Sequence, residues 1–213
     1  MKMSKADKTQ EMLLLAGEEL MGWKGIEAIS VRDINAKAEQ KNTSAIRYYF
    51  QNKHGLLQAI LDHRMVHLDG LRQAALDELR AQKNDHEIGL DDLIRAQVLP
   101  LAEAVLADPA WQNYVLLLSQ IVSAQGAAYE ALWHEKYDQH SVALIKLMRS
   151  KVSKLDDALW QQRVHDMITF CIGSLCERTY KMRASPKDPA LEDERYLKHL
   201  VSTATLMLAA PSV

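Results

Sequence analysis

The chain has 213 residues, of which 48% are hydrophobic and 25% are charged. This composition is typical of a soluble globular protein that buries a core, and the length suits a small domain followed by a larger one. No stretch approaches the roughly 18 consecutive apolar residues of a membrane-spanning helix, and the polar N-terminal residues lack the apolar run of a signal peptide. We therefore predict a cytoplasmic protein.

The charge and the cysteines exclude little by themselves. The net charge is -2, but ten basic and eight acidic residues fall within 1–64, leaving 16 basic and 20 acidic residues beyond. A weak basic excess thus lies at the N-terminal end. Cys171 and Cys176 are five residues apart in a predicted helix, so their side chains point in different directions. Neither a disulfide nor a metal site is predicted from them.

Helices dominate the prediction because only 8 Gly and 5 Pro interrupt the chain. The first helix is predicted over Lys8–Met21, with apolar residues at helical spacing. Ser30 and Asp33 have the spacing of a capping box, which predicts the start of a short second helix.

A polar turn over residues 39–42 separates the second helix from a third, predicted over Ser44–Phe50. Ile46 and Phe50, four residues apart, are expected to point inward on that helix. A much longer helix is predicted from Lys53. Two short helices joined by a polar turn have the geometry of a helix-turn-helix, whose second helix can enter the major groove of DNA.

The remainder of the chain predicts four or five more helices, which makes about nine in total and an all-α fold. Proline at position 109 suits the first turn of a helix. The predicted segments are 90–107, 109–126, 127–151, 156–182 and 191–209.

The outward face of the third helix carries groups that can read DNA. Arg47 can donate two hydrogen bonds to guanine, and Tyr48 can pack on a thymine methyl group or donate to a phosphate. The hydroxyls of Thr43 and Ser44 can reach base edges or phosphates. The alternative is a solvated face with aromatic filler, and composition does not decide between the two.

The ordered series of motifs resembles the DNA-binding domain of the TetR family of regulators over about residues 8–62. The matching positions are Ile29–Ile34, Ala36, Ala38, Ile46–Phe50, Lys53 and Leu56–Leu57. The resemblance implies a three-helix helix-turn-helix domain at 1–62 and a larger helical domain at 63–213 that binds an effector and forms a homodimer.

The resemblance also implies roles for individual residues. Arg47 and Tyr48 should face bases, whereas Tyr49 and Lys53 should face phosphates. The full predicted DNA-binding set is Ser30, Arg32, Asn42, Thr43, Ser44, Arg47, Tyr48, Tyr49 and Lys53. One departure from the family pattern is Glu39, which stands where the family usually has Gly in a left-handed conformation.

The resemblance also implies that the C-terminal half encloses a mostly apolar effector pocket. Aromatic and methionine side chains recur there at helical spacing, which suits such a pocket. Ordinary core packing is the alternative for each residue. The candidate pocket residues are Met65, Leu101, Trp111, Tyr114, Leu118, Trp133, Tyr137, Met167 and Cys171. No cofactor and no metal is predicted.

The resemblance implies a homodimer that pairs through the last two long helices. A homodimer also follows from the geometry of DNA, because one short recognition helix offers too little contact with it. The first of these helices, 156–182, contributes apolar and small residues to the interface, namely Trp160, Val164, Ile168, Ile172, Gly173, Ser174 and Leu175. The last helix adds Leu197, Leu200, Val201, Ala204 and Leu208.

The leading hypothesis is therefore a DNA-binding regulator, a repressor released from its operator by a small apolar effector, with the long fourth helix transmitting the change. An all-helical protein or enzyme that binds a hydrophobic molecule without DNA is the alternative. The sequence has no nucleophile elbow and no phosphate-binding glycine loop, so no enzymatic activity is predicted. A regulator without effector control, or an activator, also stays open.

Overall fold

The structure is a computed structural model, and it describes residues 4–40, 42, 44–84, 86–123, 139–152, 155–185 and 192–211. Over these ranges the fold is all-α, as predicted, and contains nine helices. They are α1 (Lys5–Lys24), α2 (Val31–Lys37), α3 (Ala45–Phe50), α4 (Lys53–Gln82), α5 (Leu90–Ala107), α6 (Pro109–Ser123), α7 (Gln139–Lys151), α8 (Asp157–Ala184) and α9 (Asp193–Ala209).

The start of α1 differs from the prediction. The helix begins at Lys5 rather than Lys8, because Ser4 and Asp7 form a capping box. The hydroxyl of Ser4 accepts the backbone N–H of Asp7 at 3.1 Å, and the carboxylate of Asp7 accepts the backbone N–H of Ser4 at 3.0 Å. Two N–H groups that a helix end leaves without partners are thereby satisfied.

The helices group into two compact units. One comprises Met1–Met65 with Ala110–His134, and the other comprises Val66–Pro109 with Glu135–Val213. Helix α4 contributes residues to both units. The predicted domain boundary between residues 62 and 63 stays a prediction.

An ion pair buried in the first unit joins α1 to α4. The guanidinium of Arg64 donates two hydrogen bonds to the carboxylate of Glu18, at 2.7 and 2.6 Å. The side chains are 10% and 3% exposed, and the guanidinium also stacks 4.8 Å above the ring of Trp111 on α6. Bidentate geometry compensates part of the cost of removing both charges from water.

In the second unit, α5 packs against α7, α8 and α9. A buried polar link between α5 and α7 is made by Gln97, whose amide donates to the hydroxyl of Ser141 at 2.8 Å. Asp69 on α4 accepts the backbone N–H of His140 at 2.8 Å and contacts its ring nitrogen at the same distance. Asp69 therefore caps the first turn of α7 from another helix.

Most of the last-helix residues assigned to a dimer interface are instead used inside the chain. Leu200, Val201, Ala204 and Leu208 are all fully buried, on a face of α9 that packs against α5 and α8. On α8, Trp160, Ile172 and Leu175 are also buried within the chain. The assignment of these seven side chains to a partner was wrong, because an apolar helical stripe does not reveal which neighbour covers it. No helix within the described ranges is both long and apolar enough to cross a membrane.

The buried ion pair yields a stability prediction. Changing Glu18 to Gln leaves the Arg64 charge buried without its counter-charge, so the free energy of unfolding should fall by about 3 kcal/mol, the typical cost of breaking a buried pair. Chemical denaturation followed by circular dichroism measures this change.

The matched control is the neighbouring residue Glu19, whose carboxylate pairs with Lys37 at 2.8 Å with both side chains more than 40% exposed. Glu19→Gln should cost less than about 1 kcal/mol. Equal losses for the two variants would contradict the assigned role of the Glu18–Arg64 pair.

Candidate nucleic-acid interface

Helix α2 begins with the predicted capping box. The hydroxyl of Ser30 accepts the backbone N–H of Asp33 at 3.3 Å, and the Asp33 carboxylate accepts both the backbone N–H of Ser30 at 2.9 Å and its hydroxyl at 2.5 Å. These hydrogen bonds lower the pKa of Asp33. Ser30 is therefore engaged in capping, with a carboxylate beside it, while Arg32 in the same turn is exposed.

The turn between α2 and α3 is held by its own polar groups. Glu39 has a φ of 53°, in the left-handed region. The side-chain oxygen of Asn42 accepts the backbone N–H of Ser44 at 2.9 Å, and its carbonyl accepts that of Ala45 at 3.1 Å. Asn42 thus acts as a turn residue within the chain. Thr43, which was also predicted to contact DNA, lies outside the described residues.

Helix α3 has one buried and one exposed face. Ile46 is fully buried and Phe50 is 6% exposed, which confirms that they face the core. Ser44 and Arg47 are exposed, and Tyr48 is 80% exposed. Within the described residues Arg47 forms no ion pair, so its donors are available to an external partner.

Tyr48 is supported along its edge by its neighbour. The rings of Tyr48 and Tyr49 meet edge to face with centroids 4.8 Å apart, and Tyr49 in turn lies 6.2 Å from the ring of Phe50. Tyr49 is half-buried. The exposed ring of Tyr48 therefore packs against Tyr49, which in turn lies beside the buried ring of Phe50.

A sharp turn fixes where α3 ends and α4 begins. Gln51 has a φ of 68°, and the side chain of Asn52 accepts the backbone N–H of Gly55 at 2.8 Å. A Cβ atom on Gly55 would lie 2.0 Å from the carbonyl oxygen of Phe50. Only glycine fits here, because any side chain would collide with the end of α3.

Lys53 has an internal role that the sequence did not predict. Its ammonium donates to the carbonyl oxygens of Ile26 at 2.9 Å and Ile29 at 3.2 Å, with the Glu27 carboxylate 3.8 Å away. The first residue of α4 thereby holds the loop that leads into α2.

The described candidates for an effector pocket are all buried, but they belong to two different units. Trp111 and Tyr114 pack edge to face with ring centroids 5.6 Å apart. The first unit holds Met65, Trp111, Tyr114 and Leu118, and the second holds Leu101, Met167 and Cys171. Burial raises the pKa of the Cys171 thiol to about 12, so it is not a reactive thiolate. Trp133 and Tyr137 lie outside the described residues.

Comparison with known families identifies the chain. Residues 95–205 match the profile of the tetracyclin repressor-like C-terminal domain, which covers more than half of the sequence. The chain belongs to the TetR family of transcription regulators. Curated protein sequences contain no significant match to it.

Solved TetR-family structures share the fold over nearly the whole chain. A protein from Shewanella sp. PV-4, assigned to the family, is 15% identical, with 96% of this chain and 98% of that one covered and a TM-score of 0.61. Another from Mesorhizobium loti MAFF303099 is 13% identical, with 99% and 100% covered and a TM-score of 0.56. A gamma-butyrolactone receptor described as ArpA-like is 15% identical, with 94% and 98% covered and a TM-score of 0.54.

Two residues outside the predicted sites connect α6 to the end of α1 and to the loop that follows it. Asn113 accepts the indole N–H of Trp23 at 2.7 Å, and Gln120 bonds to the backbone at the end of α1 and in the following loop. A polar side chain within the largely apolar stretch 114–121 was the available signal for Gln120. No group of three or more His, Cys, Asp or Glu residues in the described ranges could hold a metal ion.

The left-handed backbone at Glu39 yields a second stability prediction. TetR-family chains usually have Gly at this position, and a side chain there costs free energy in a left-handed conformation. Glu39→Gly should therefore raise the free energy of unfolding by about 0.5–1 kcal/mol, because about 1–2 kcal/mol of left-handed strain is relieved and about 0.5–1 kcal/mol is lost to the greater chain entropy of glycine. Denaturant titration measures this change.

Glu39→Ala serves as the control, because it removes the same carboxylate but keeps the Cβ atom. It should leave the free energy of unfolding unchanged or lower. If alanine stabilised the chain as much as glycine, the carboxylate rather than the backbone would be the source of the strain.

Proposed function

We propose that the chain is a repressor that reads operator DNA as a homodimer through α3 and is released by a small, mostly apolar effector. The observation that carries the DNA-reading role is the exposed face of α3, where Arg47 and the 80% exposed Tyr48 project from a helix whose other face is buried.

The chemistry of this face suits a major groove. Arg47 offers a planar fork of donors that matches the N7 and O6 acceptors of guanine, and Tyr48 offers apolar surface for a thymine methyl group. Both side chains stand on a helix fixed by the core and by the two turns. Rigid positioning reduces the entropy lost when such side chains bind.

Phosphate contacts would orient α3 in the groove. Arg32 is exposed in the first turn of α2, and Tyr49 is half-buried beside Tyr48. Lys53 uses two of its N–H donors on carbonyl oxygens within the chain, and its third is proposed for a phosphate. Ser30, Asn42, Thr43 and Ser44 complete the proposed DNA-binding set, although the side chains of Ser30 and Asn42 already support the local fold.

The homodimer is proposed from the geometry of DNA, because a two-fold protein can place two recognition helices on half-sites one turn apart. The inward faces of α8 and α9 are used within the chain, so their exposed faces would meet the partner. On α8 this stripe includes Thr169, Gly173 and the 53% exposed Tyr180, and on α9 it includes Leu206, which is 69% exposed.

The effector is proposed to be apolar or aromatic, because the described candidate residues are buried aromatic and aliphatic side chains. An ArpA-like relative of the same fold is named as a gamma-butyrolactone receptor, which supports a small-molecule role for this fold. A library of small aromatic and lactone compounds, tested by thermal shift, identifies candidates, because a ligand that binds the native state raises its melting temperature. Competition with bound DNA then tests release.

The DNA-reading role is tested by selecting duplexes from a random library with the purified protein and measuring affinity by fluorescence anisotropy at two salt concentrations. The double variant Arg47→Ala/Tyr48→Ala should bind the selected duplex about 100-fold more weakly, since a homodimer loses two bidentate base contacts that each contribute about 1–3 kcal/mol. Non-specific binding should change much less.

Arg80→Ala is the matched control, because Arg80 is an exposed arginine near the C-terminal end of α4. The Arg80→Ala variant should bind the selected duplex with the affinity of the unchanged protein. Sedimentation of the complex should give two chains per duplex. Equal affinities for the double variant and the control would contradict the role of α3. Enrichment of no duplex at all would favour a helical hydrophobic-ligand-binding protein without DNA function.

A further inference from the structure

One side chain of α6, that of Gln120, forms hydrogen bonds with the end of α1 and with the loop between α1 and α2. The side-chain oxygen of Gln120 accepts the backbone N–H of Ile26 at 2.9 Å, and its amide nitrogen donates to the carbonyl oxygens of Met21 at 2.9 Å and Gly22 at 3.1 Å. Gln120 therefore satisfies backbone groups at the end of α1 and in the following loop at the same time. Such groups would otherwise need water or another partner.

The first residue of α4, Lys53, also forms hydrogen bonds with this loop. Lys53 donates to the carbonyl oxygen of Ile26 and to that of Ile29, which directly precedes Ser30, the first capping residue of α2. Both backbone groups of Ile26 are thus bonded to side chains of other helices. We call Gln120, Ile26 and Lys53 the loop clamp.

A second contact keeps α6 close to the end of α1. The indole N–H of Trp23 donates to the side-chain oxygen of Asn113 at 2.7 Å. A Cβ atom on Gly22 would lie 2.5 Å from the backbone carbonyl oxygen of Asn113, so the two backbones approach more closely than any other residue at position 22 permits. A displacement of α6 along this contact must displace the loop or break these bonds.

Helix α6 presents two different faces. Asn113 and Gln120 are seven residues apart and share one face, whereas Trp111, Tyr114 and Leu118 lie on the opposite side at helical spacing. The second group belongs to the proposed effector residues. One rigid helix of 15 residues therefore carries proposed effector contacts on one side and loop contacts on the other.

We propose that Gln120 is a positioning residue that transmits the state of α6 to α2 and α3 through the loop clamp. The inference rests on the proposed function and adds the route of its regulation. A shift of α6 would move Gln120 relative to Lys53, and Ile26 could no longer satisfy both. The start of α2 would then change position, and with it the Arg47 and Tyr48 pair on α3.

The variant Gln120→Met removes every clamp hydrogen bond of this side chain while keeping a similar length and volume. Ser119→Ala is the matched control, because among the described residues the Ser119 hydroxyl bonds to the carbonyl oxygen of Leu116 within α6 and not to the loop. Hydrogen exchange by mass spectrometry is measured on the free proteins and on their complexes with the duplex selected by the unchanged protein. The reporting peptides cover residues 20–34, 44–50 and 110–123.

In the free protein, Gln120→Met should exchange about tenfold faster over residues 22–34 than the unchanged protein and Ser119→Ala. Binding of the selected duplex should slow exchange in residues 110–123 of the unchanged protein, because coupling between two sites is reciprocal. In Gln120→Met this slowing should be lost, while residues 44–50 remain protected by DNA. Affinity for the duplex should fall about tenfold.

Unchanged exchange over residues 22–34 in the free variant would overturn the proposal, as would DNA-dependent slowing in 110–123 that survives the substitution. Faster exchange across the whole chain with a matching fall in melting temperature would also overturn it, because Gln120 would then be a general stability residue. Failure of the unchanged protein to select any duplex would contradict DNA reading alone, since the free-protein comparison still decides the loop clamp.

Discussion

A helix of six residues has too few internal hydrogen bonds to be stable in water, so α3 depends on the contacts around it. The core holds Ala45, Ile46 and Phe50, and the two turns fix its ends. The turn after α3 allows no side chain at Gly55, and the turn before it requires a left-handed residue at Glu39. These constraints give the exposed face of α3 a single orientation, and that orientation is what a base-reading helix needs.

The same constraint explains why Ile26 matters. Helix α2 has only seven residues and also depends on its surroundings, chiefly the Ser30–Asp33 cap and the loop before it. Side chains from α4 and α6 form hydrogen bonds with the backbone atoms of that loop, in addition to any apolar contact. Hydrogen bonds are directional, whereas apolar contacts are not. A small displacement of α4 or α6 is therefore more readily transmitted to the loop through hydrogen bonds than it would be through an apolar interface.

Local patterns predicted the region of α2 and α3 well. The spacing of Ser30 and Asp33 predicted a cap that the structure contains, and the i, i+4 pair Ile46 and Phe50 predicted the buried face of α3. These features depend on neighbours in sequence, where helical geometry is regular. The family resemblance also predicted the left-handed backbone at Glu39, and the fold and family are confirmed.

Contacts between distant segments could not be predicted in the same way. Lys53 was expected to point at a phosphate, but two of its donors reach carbonyl oxygens 24 and 27 residues away. Gln120 bonds to residues more than 90 positions away, and no periodicity reports such a partner. The sequence correctly predicted an apolar face on α9, but this face packs against α5 and α8 of the same chain and not against a partner.

The proposed function depends on a base contact by Arg47, which a chemical double-mutant cycle can test. Each guanine of the selected duplex is replaced in turn by 7-deazaguanine, which lacks the N7 acceptor, and affinity is measured for the unchanged protein and for Arg47→Ala. One guanine should weaken the unchanged protein by roughly tenfold while having no further effect on Arg47→Ala. Equal losses in both proteins at every guanine would contradict base reading by Arg47.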